Sequence, residues 1–255
     1  MFKFGSFYSF MQQKGSFLAF DTSTDVMSIA LTDGAQTWAH TGPGGAKAST
    51  TLIPAILALL ADAGMALGDL QAIAFGRGPG SFTGLRTACA VAQGLAFGAN
   101  RGAGIAVLPI DTLMAVAAEA RLQTDSARIT ALLDARMDEM YVQRFACSQG
   151  QLTAMGACEL IRPEQLQLTP NTTPNTVYAG NVFAAYAGRL PADLNSISCW
   201  PTATAMLRLA PGLAANGQCV PADQALPLYV RDKVAQTTAE REAAKSTKLS
   251  AAAAT

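Results

Sequence analysis

From Phe17 the chain reads FLAF, then the polar turn DTSTD, then a second apolar run from Val26 to Leu31. Two runs of strand length around a polar turn predict a hairpin, with Asp21 at the tip of its first strand. The Gly/Pro-rich stretch TGPGGAKAST predicts a loop, and LIPAILALLADAG a helix with Pro54 in its first turn and Gly64 as its stop. No polar side chain interrupts that helix between Ile53 and Ala61, so it has to be covered on more than one side. The run AIAF, Ala72 to Phe75, predicts a strand, the loop GRGPGSFTGLR follows, and a helix is expected from about Gly84 to Phe97. At every fourth position this helix carries Gly84, Ala88, Ala92 and Ala96, a ridge that permits close approach, either to the chain's own elements or to another subunit. A strand, GIAVLPI, and a helix, DTLMAVAAEAR, come next.

The pattern then repeats. RITALLDARMDEMYVQRF is again an apolar run ending in an aspartate, Asp134, followed by a short polar turn and a strand from Met140 to Phe145. Further on, TVYAGNVFAAYAGRL predicts strand, glycine turn and helix, as AIAFGRGPG does in the first half. Repetition of these units predicts two similar α/β halves with mixed strands, facing each other across a cleft.

Composition narrows the function classes. The chain has 255 residues, enough for one large or two small domains. Half of them are apolar and 14% charged, a balance that leaves apolar surface for a partner. Net charge is zero, so no global field draws in a polyanion, and a nucleic acid, if one is involved, is not expected to be held by this chain alone. Cys89, Cys147, Cys158, Cys199 and Cys219 are widely spaced and odd in number, which predicts reduced thiols in a cytoplasmic protein. His40 is the single histidine, which rules out a His-pair metal site within the chain. The Phe-rich residues 1–15 fit a flexible extension, or a chain whose start lies at Met11, and residues 237–255 a low-complexity tail; no segment reads as a membrane span.

Three motifs are candidates for chemistry. The loop lacks the glycine and lysine of a Walker A motif, and Ser81 stands where a dinucleotide fingerprint needs glycine. Gly78, Gly80 and Ser81, just ahead of a helix N-terminus, still offer amides for an anion, and a tight strand-to-helix turn is an equal alternative. At the first hairpin tip, Asp21, Thr22 and Ser23 could hold phosphate and metal, or form a turn satisfying its own backbone. Asp134, Arg136, Asp138 and Glu139 offer paired carboxylates, or a solvated hairpin tip.

DTST at 21–24, GRGPGSFTGLR at 76–86, AQGLA at 92–96, LPIDTLMAVA near 108–117, DARMDEMY at 134–141 and PLYVRDKVA at 227–235 together resemble the TsaB (YeaZ) family. That family is a non-catalytic partner in forming threonylcarbamoyladenosine (t6A) at position 37 of tRNAs reading ANN codons. The resemblance implies an actin-like ATPase (ASKHA) fold of two duplicated RNase H-like subdomains. The first would span 16–108, with 222–236 returning to it, and the second 109–221. It implies a catalytic paralogue, TsaD, as heterodimer partner, an ATPase, TsaE, docking on the pair, and a homodimer when the chain is alone. The partner face is expected on Leu52, Ile53, Ile56, Leu59 and Leu60 of one helix and on Gly84, Ala88, Ala92 and Ala96 of the other. No intrinsic cofactor or metal is expected; ATP or ADP shared at the partner junction, near Asp21, Thr22, Ser23, Gly78, Gly80 and Ser81, stays open. The H-x-x-x-H motif of TsaD-type proteins has no counterpart here, and a histidine common near Ala48 is absent. The rival class is a small actin-fold kinase of the pantothenate-kinase kind, which should carry a glycine in the first hairpin turn.

Overall fold

The computed structural model describes residues 15–148, 150–168 and 176–231. The N-terminal extension before Gly15 and the alanine-rich tail expected from the sequence lie outside the described residues. The elements in chain order are β1 (Phe17–Asp21), β2 (Val26–Thr32), β3 (Thr37–Pro43), α1 (Ala48–Ala63), β4 (Ala72–Gly78), α2 (Phe82–Gly98), β5 (Ala106–Asp111) and α3 (Thr112–Ala120). The second half continues with β6 (Arg128–Arg136), β7 (Glu139–Ser148), β8 (Gln151–Ala154), β9 (Glu159–Ile161), β10 (Thr176–Gly180), β11 (Ser196–Ser198) and α4 (Ala203–Ala215).

Two sheets share one plan. The first has the order β3-β2-β1-β4-β5, with an antiparallel β1–β2–β3 meander and β4 and β5 parallel to β1. The second runs β11-β10-β6-β7-β8, again an antiparallel meander from β6 with β10 and β11 on its parallel side, and β9 also pairs with β7. The repeated order is the duplicated RNase H-like arrangement of an actin-like fold, as the two aspartate-tipped hairpins predict.

Alternation along the first sheet decides what covers it. Leu18, Phe20, Met27, Ile29, Leu31, Ile73 and Phe75 point to one face, where they form a core with α1 and α2. Phe17, Ala19, Ala30, Ala72 and Ala74 point to the other, mostly small side chains that let α4 lie close against β1 and β2. Thus α4 packs on the first sheet although it follows the strands of the second. In the second half α3 covers Ile129, Ala131 and Leu133 of β6.

Sequence and structure differ at several elements. TWAHTGP is a full edge strand, β3, and α1 begins at Ala48 inside the expected loop. After β10 the expected helix is only a series of turns, since Gly188 takes a left-handed φ of 78° and ends it within a few residues. Helix α4 escapes the sequence pattern because Pro211 and Gly212, both signals of helix ends, lie inside it.

Candidate functional site

The first hairpin tip and the glycine loop are built into each other. Asp21 ends β1 fully buried. Its Oδ1 accepts hydrogen bonds from the Ser23 amide (2.8 Å) and Ser23 hydroxyl (2.6 Å), and its Oδ2 from the Thr112 hydroxyl (3.3 Å) at the start of α3. Burial pushes the Asp21 carboxyl up to about 6, against the opposing pull of the Ser23 and Thr112 bonds. Gly76 is required opposite it, because a Cβ there would stand 1.8 Å from Asp21 Oδ2. Gly84 meets the same constraint, a Cβ falling 1.9 Å from the Thr22 carbonyl oxygen. In that gap Thr22 Oγ1 donates to the Gly84 carbonyl (2.7 Å), and the Ser81 amide donates to the Ser23 carbonyl (2.7 Å).

Asp21, Thr22, Ser23, Gly80 and Ser81, named from the sequence as an anion junction, therefore do come together, but as partners of one another. Gly78 sits beside them against the Leu228 carbonyl. The Ser81 amide at the N-cap of α2 is spent on a peptide carbonyl, and Asp21 has no exposed edge with which to hold a metal or move a proton. Among the described residues no three His, Cys, Asp or Glu side chains gather in a metal-binding cluster.

Beside this knot lies a cleft of about 290 Å³ between the halves, lined by Asp25, Ser81, Phe82, Asp134, Arg136, Tyr229 and Arg231 among others. The second hairpin tip forms its far wall. Asp134 Oδ1 accepts from the Tyr186 hydroxyl (2.7 Å) and the Arg136 amide (2.9 Å). Burial and that Asp134 contact hold the Tyr186 phenol well above the usual tyrosine range. The Arg136 guanidinium reaches across to Asp25 (2.5 Å) of the first hairpin. Asp138 and Glu139 pair with Arg189 and Arg231. Each of the four tip charges thus has a partner within the chain, and the pairs Arg136–Asp25 and Glu139–Arg231 join the second hairpin to other parts of the molecule. Phe82, Arg86, Tyr229 and Arg231 were not legible as site residues: Arg86 and Tyr229 lie 143 residues apart and meet only through the fold.

The expected partner face requires a correction. Leu52, Ile56, Leu59 and Leu60 are buried under the first sheet, and so are Gly84, Ala88, Ala92 and Ala96. The small side chains of the α2 residues bring that helix close to the sheet, and the burial of all eight is within this chain. Ile53 alone of the nine is exposed, at 43%. It shares the outer surface with Leu57 (51%) on α1, while α2 turns outward Ala90, Gly94 and Phe97 (73%). These outward positions are apolar and lie on two helices that pack together, with Asp62 and Arg86 exposed on the same helices.

Comparison with known proteins agrees with this architecture. A family described as TsaD, tRNA N6-adenosine threonylcarbamoyltransferase, matches residues 36–254. The chain is 33% identical over 233 residues to the tRNA threonylcarbamoyladenosine biosynthesis protein TsaB of Haemophilus influenzae, covering 87% of this chain and 96% of that one. The Escherichia coli TsaB is 30% identical over 226 residues, covering 86% and 95%. The solved structure of YeaZ from Pseudomonas aeruginosa matches with a TM-score of 0.76 and 35% identity, over 85% of this chain and all of that one. With the duplicated fold, the hairpin tips and the glycine loop in place, the chain belongs to the TsaB (YeaZ) family.

Proposed function

We propose that this protein serves in the formation of threonylcarbamoyladenosine at position 37 of tRNA as a non-catalytic subunit that pairs with and activates a TsaD-type transferase. The observation that carries this reading is the Thr22–Ser23 turn seated in the glycine loop. Where an active actin-like fold needs room at the first hairpin for phosphate and metal, this chain places its own backbone, held by Thr22 to Gly84 and Ser81 to Ser23. A single histidine in the whole chain is in keeping with the chemistry lying in a partner.

The partner meets the outer face of α1 and α2, at Ile53, Leu57, Ala90, Gly94 and Phe97, where the two packed helices offer apolar area for a stable interface. A second copy of the chain takes the same face when the transferase is absent. A TsaE-type ATPase docks on the heterodimer, nucleotide is shared at that junction, and tRNA is held by the complex. Nothing in this reading needs a membrane, and no helix among the described residues is long and apolar enough to cross one.

Reconstitution tests the proposal. Threonylcarbamoyl transfer to tRNA is measured with TsaD, TsaE and this chain, and with each omitted. Omission of this chain should lower transfer at least about tenfold, the chain alone should transfer nothing, and addition should restore the rate. Transfer, or phosphorylation of any acyl or sugar acceptor, by the isolated chain would overturn the non-catalytic assignment.

A further inference from the structure

Besides the packing of α4 on the first sheet and the bond of Thr112 to Asp21, two contacts tie the halves across the cleft. One is the ion pair of Asp25 and Arg136, whose side chains are 78% and 67% exposed and therefore largely screened by solvent. The other is the segment from Ala225 to Arg231. On the first half, the Ala225 carbonyl accepts from Gln93 Nε2 (2.8 Å) and Cys89 Sγ (3.1 Å), and the Leu228 amide donates to the Arg77 carbonyl (2.7 Å). Tyr229 packs its ring 5.2 Å from that of Phe82 and accepts from Arg86 Nε, whose guanidinium lies over the Phe82 ring.

Two residues on, the segment crosses to the second half. Arg231 Nη2 donates to Glu139 Oε2 (2.6 Å) and to the Arg136 carbonyl (3.2 Å), and Nη1 lies 3.0 Å from Met137 Sδ. The Arg231 side chain is only 14% exposed, so this grip is far less screened than the tip pair. What it holds is a strained turn. Arg136, Met137 and Asp138 stand consecutively at φ of 60°, 57° and 59°, a left-handed run that persists only where the surroundings over-determine it.

The geometry points to residues 225–231 as an intrinsic strap that fixes the angle between the halves, with Arg231 as its latch on the second hairpin, so that closure of the cleft needs no bound ligand. In two-lobed proteins that close around a ligand, the ligand supplies the contacts between lobes. Here residues 225–231 supply them, and the angle at which the two halves are presented is set before any partner arrives. The inference concerns this chain alone and stands whether or not the partner is a transferase.

Amide hydrogen exchange on the full chain tests it, with Arg231→Met to release the latch and Tyr229→Ala to loosen the strap on the first half. Arg231→Met should speed exchange of residues 133–141 by about tenfold while amides of β1 and β4 keep their protection, and Tyr229→Ala should act in the same direction. Magnesium ATP added to the wild-type chain should leave those amides unchanged. Wild-type protection of the hairpin tip in both variants, or a tenfold gain of protection there on adding magnesium ATP, would overturn the strap.

Discussion

The carboxylate of Asp21 lies so close to Gly76 on the neighbouring strand that a Cβ at residue 76 would stand 1.8 Å from its Oδ2. The pair joins the first hairpin tip to the strand leading into the glycine loop, and Asp21 has nowhere to move. Gly76→Ala should cost about 2–3 kcal/mol, the upper part of the range of overpacking in a tight core. A double-mutant cycle with Asp21→Ala, read by urea unfolding, checks the cause: removing the carboxylate should recover most of the loss. Additive losses would mean that the alanine clashes elsewhere.

The same aspartate makes stability fall with pH. Its folded-state value of about 6 lies above the ordinary aspartate value, so its favourable contribution is whole below about pH 4 and is lost as pH rises through 6. Above pH 7 the ionised buried carboxylate costs on the order of 3 kcal/mol by that linkage. Asp21→Asn keeps an acceptor for Ser23 without the charge, so it should be more stable than wild type at pH 8 and no better at pH 4. Denaturation midpoints of the two proteins between those limits give the answer, and parallel curves would sink the assignment.

Thr22 is buried and donates its only hydroxyl bond to the Gly84 carbonyl. Thr22→Val preserves the shape and removes this second donor from a carbonyl that keeps its helical partner, which should cost about 1 kcal/mol. Because the bond seats the hairpin turn in the loop, exchange at residues 80–85 should quicken more than exchange in α4. Equal effects in both would place the loss in general packing.

Gly94 and Ala88 lie on one helix and should respond in opposite ways to a long charged side chain. A Cβ at Gly94 meets nothing within 4 Å, and the position faces outward. Gly94→Arg should fold, gain helix propensity and weaken pairing with the transferase or with a second copy by more than about tenfold, since an unpaired charge is then driven into the interface. Ala88 is buried against the first sheet, so Ala88→Arg should prevent folding altogether. Pull-down yield together with circular dichroism separates the two, and full pairing by Gly94→Arg would move the interface elsewhere.

Sequence alone determined the paired architecture. An apolar run, an aspartate at its end and a returning strand, found at Asp21 and again at Asp134, is local information, because strand alternation and turn chemistry act over a few residues. The failure of the loop as a Walker or dinucleotide motif was equally local, a matter of which residues stand at Ser81 and Thr83. What the helices face was not. Helix α1 has no polar residue between Ile53 and Ala61, and α2 carries small side chains on both its inner and outer stripes. Periodicity can tell inside from outside only when polar residues mark one side. The sheet chose the stripe of Ala88 and Ala92, because small side chains there allow the closest packing, and left Ala90, Gly94 and Phe97 for solvent or a partner. The strap was beyond local reading as well: Tyr229 and Arg231 acquire their partners on α2 and the second hairpin only when residues 225–231 pass across both halves.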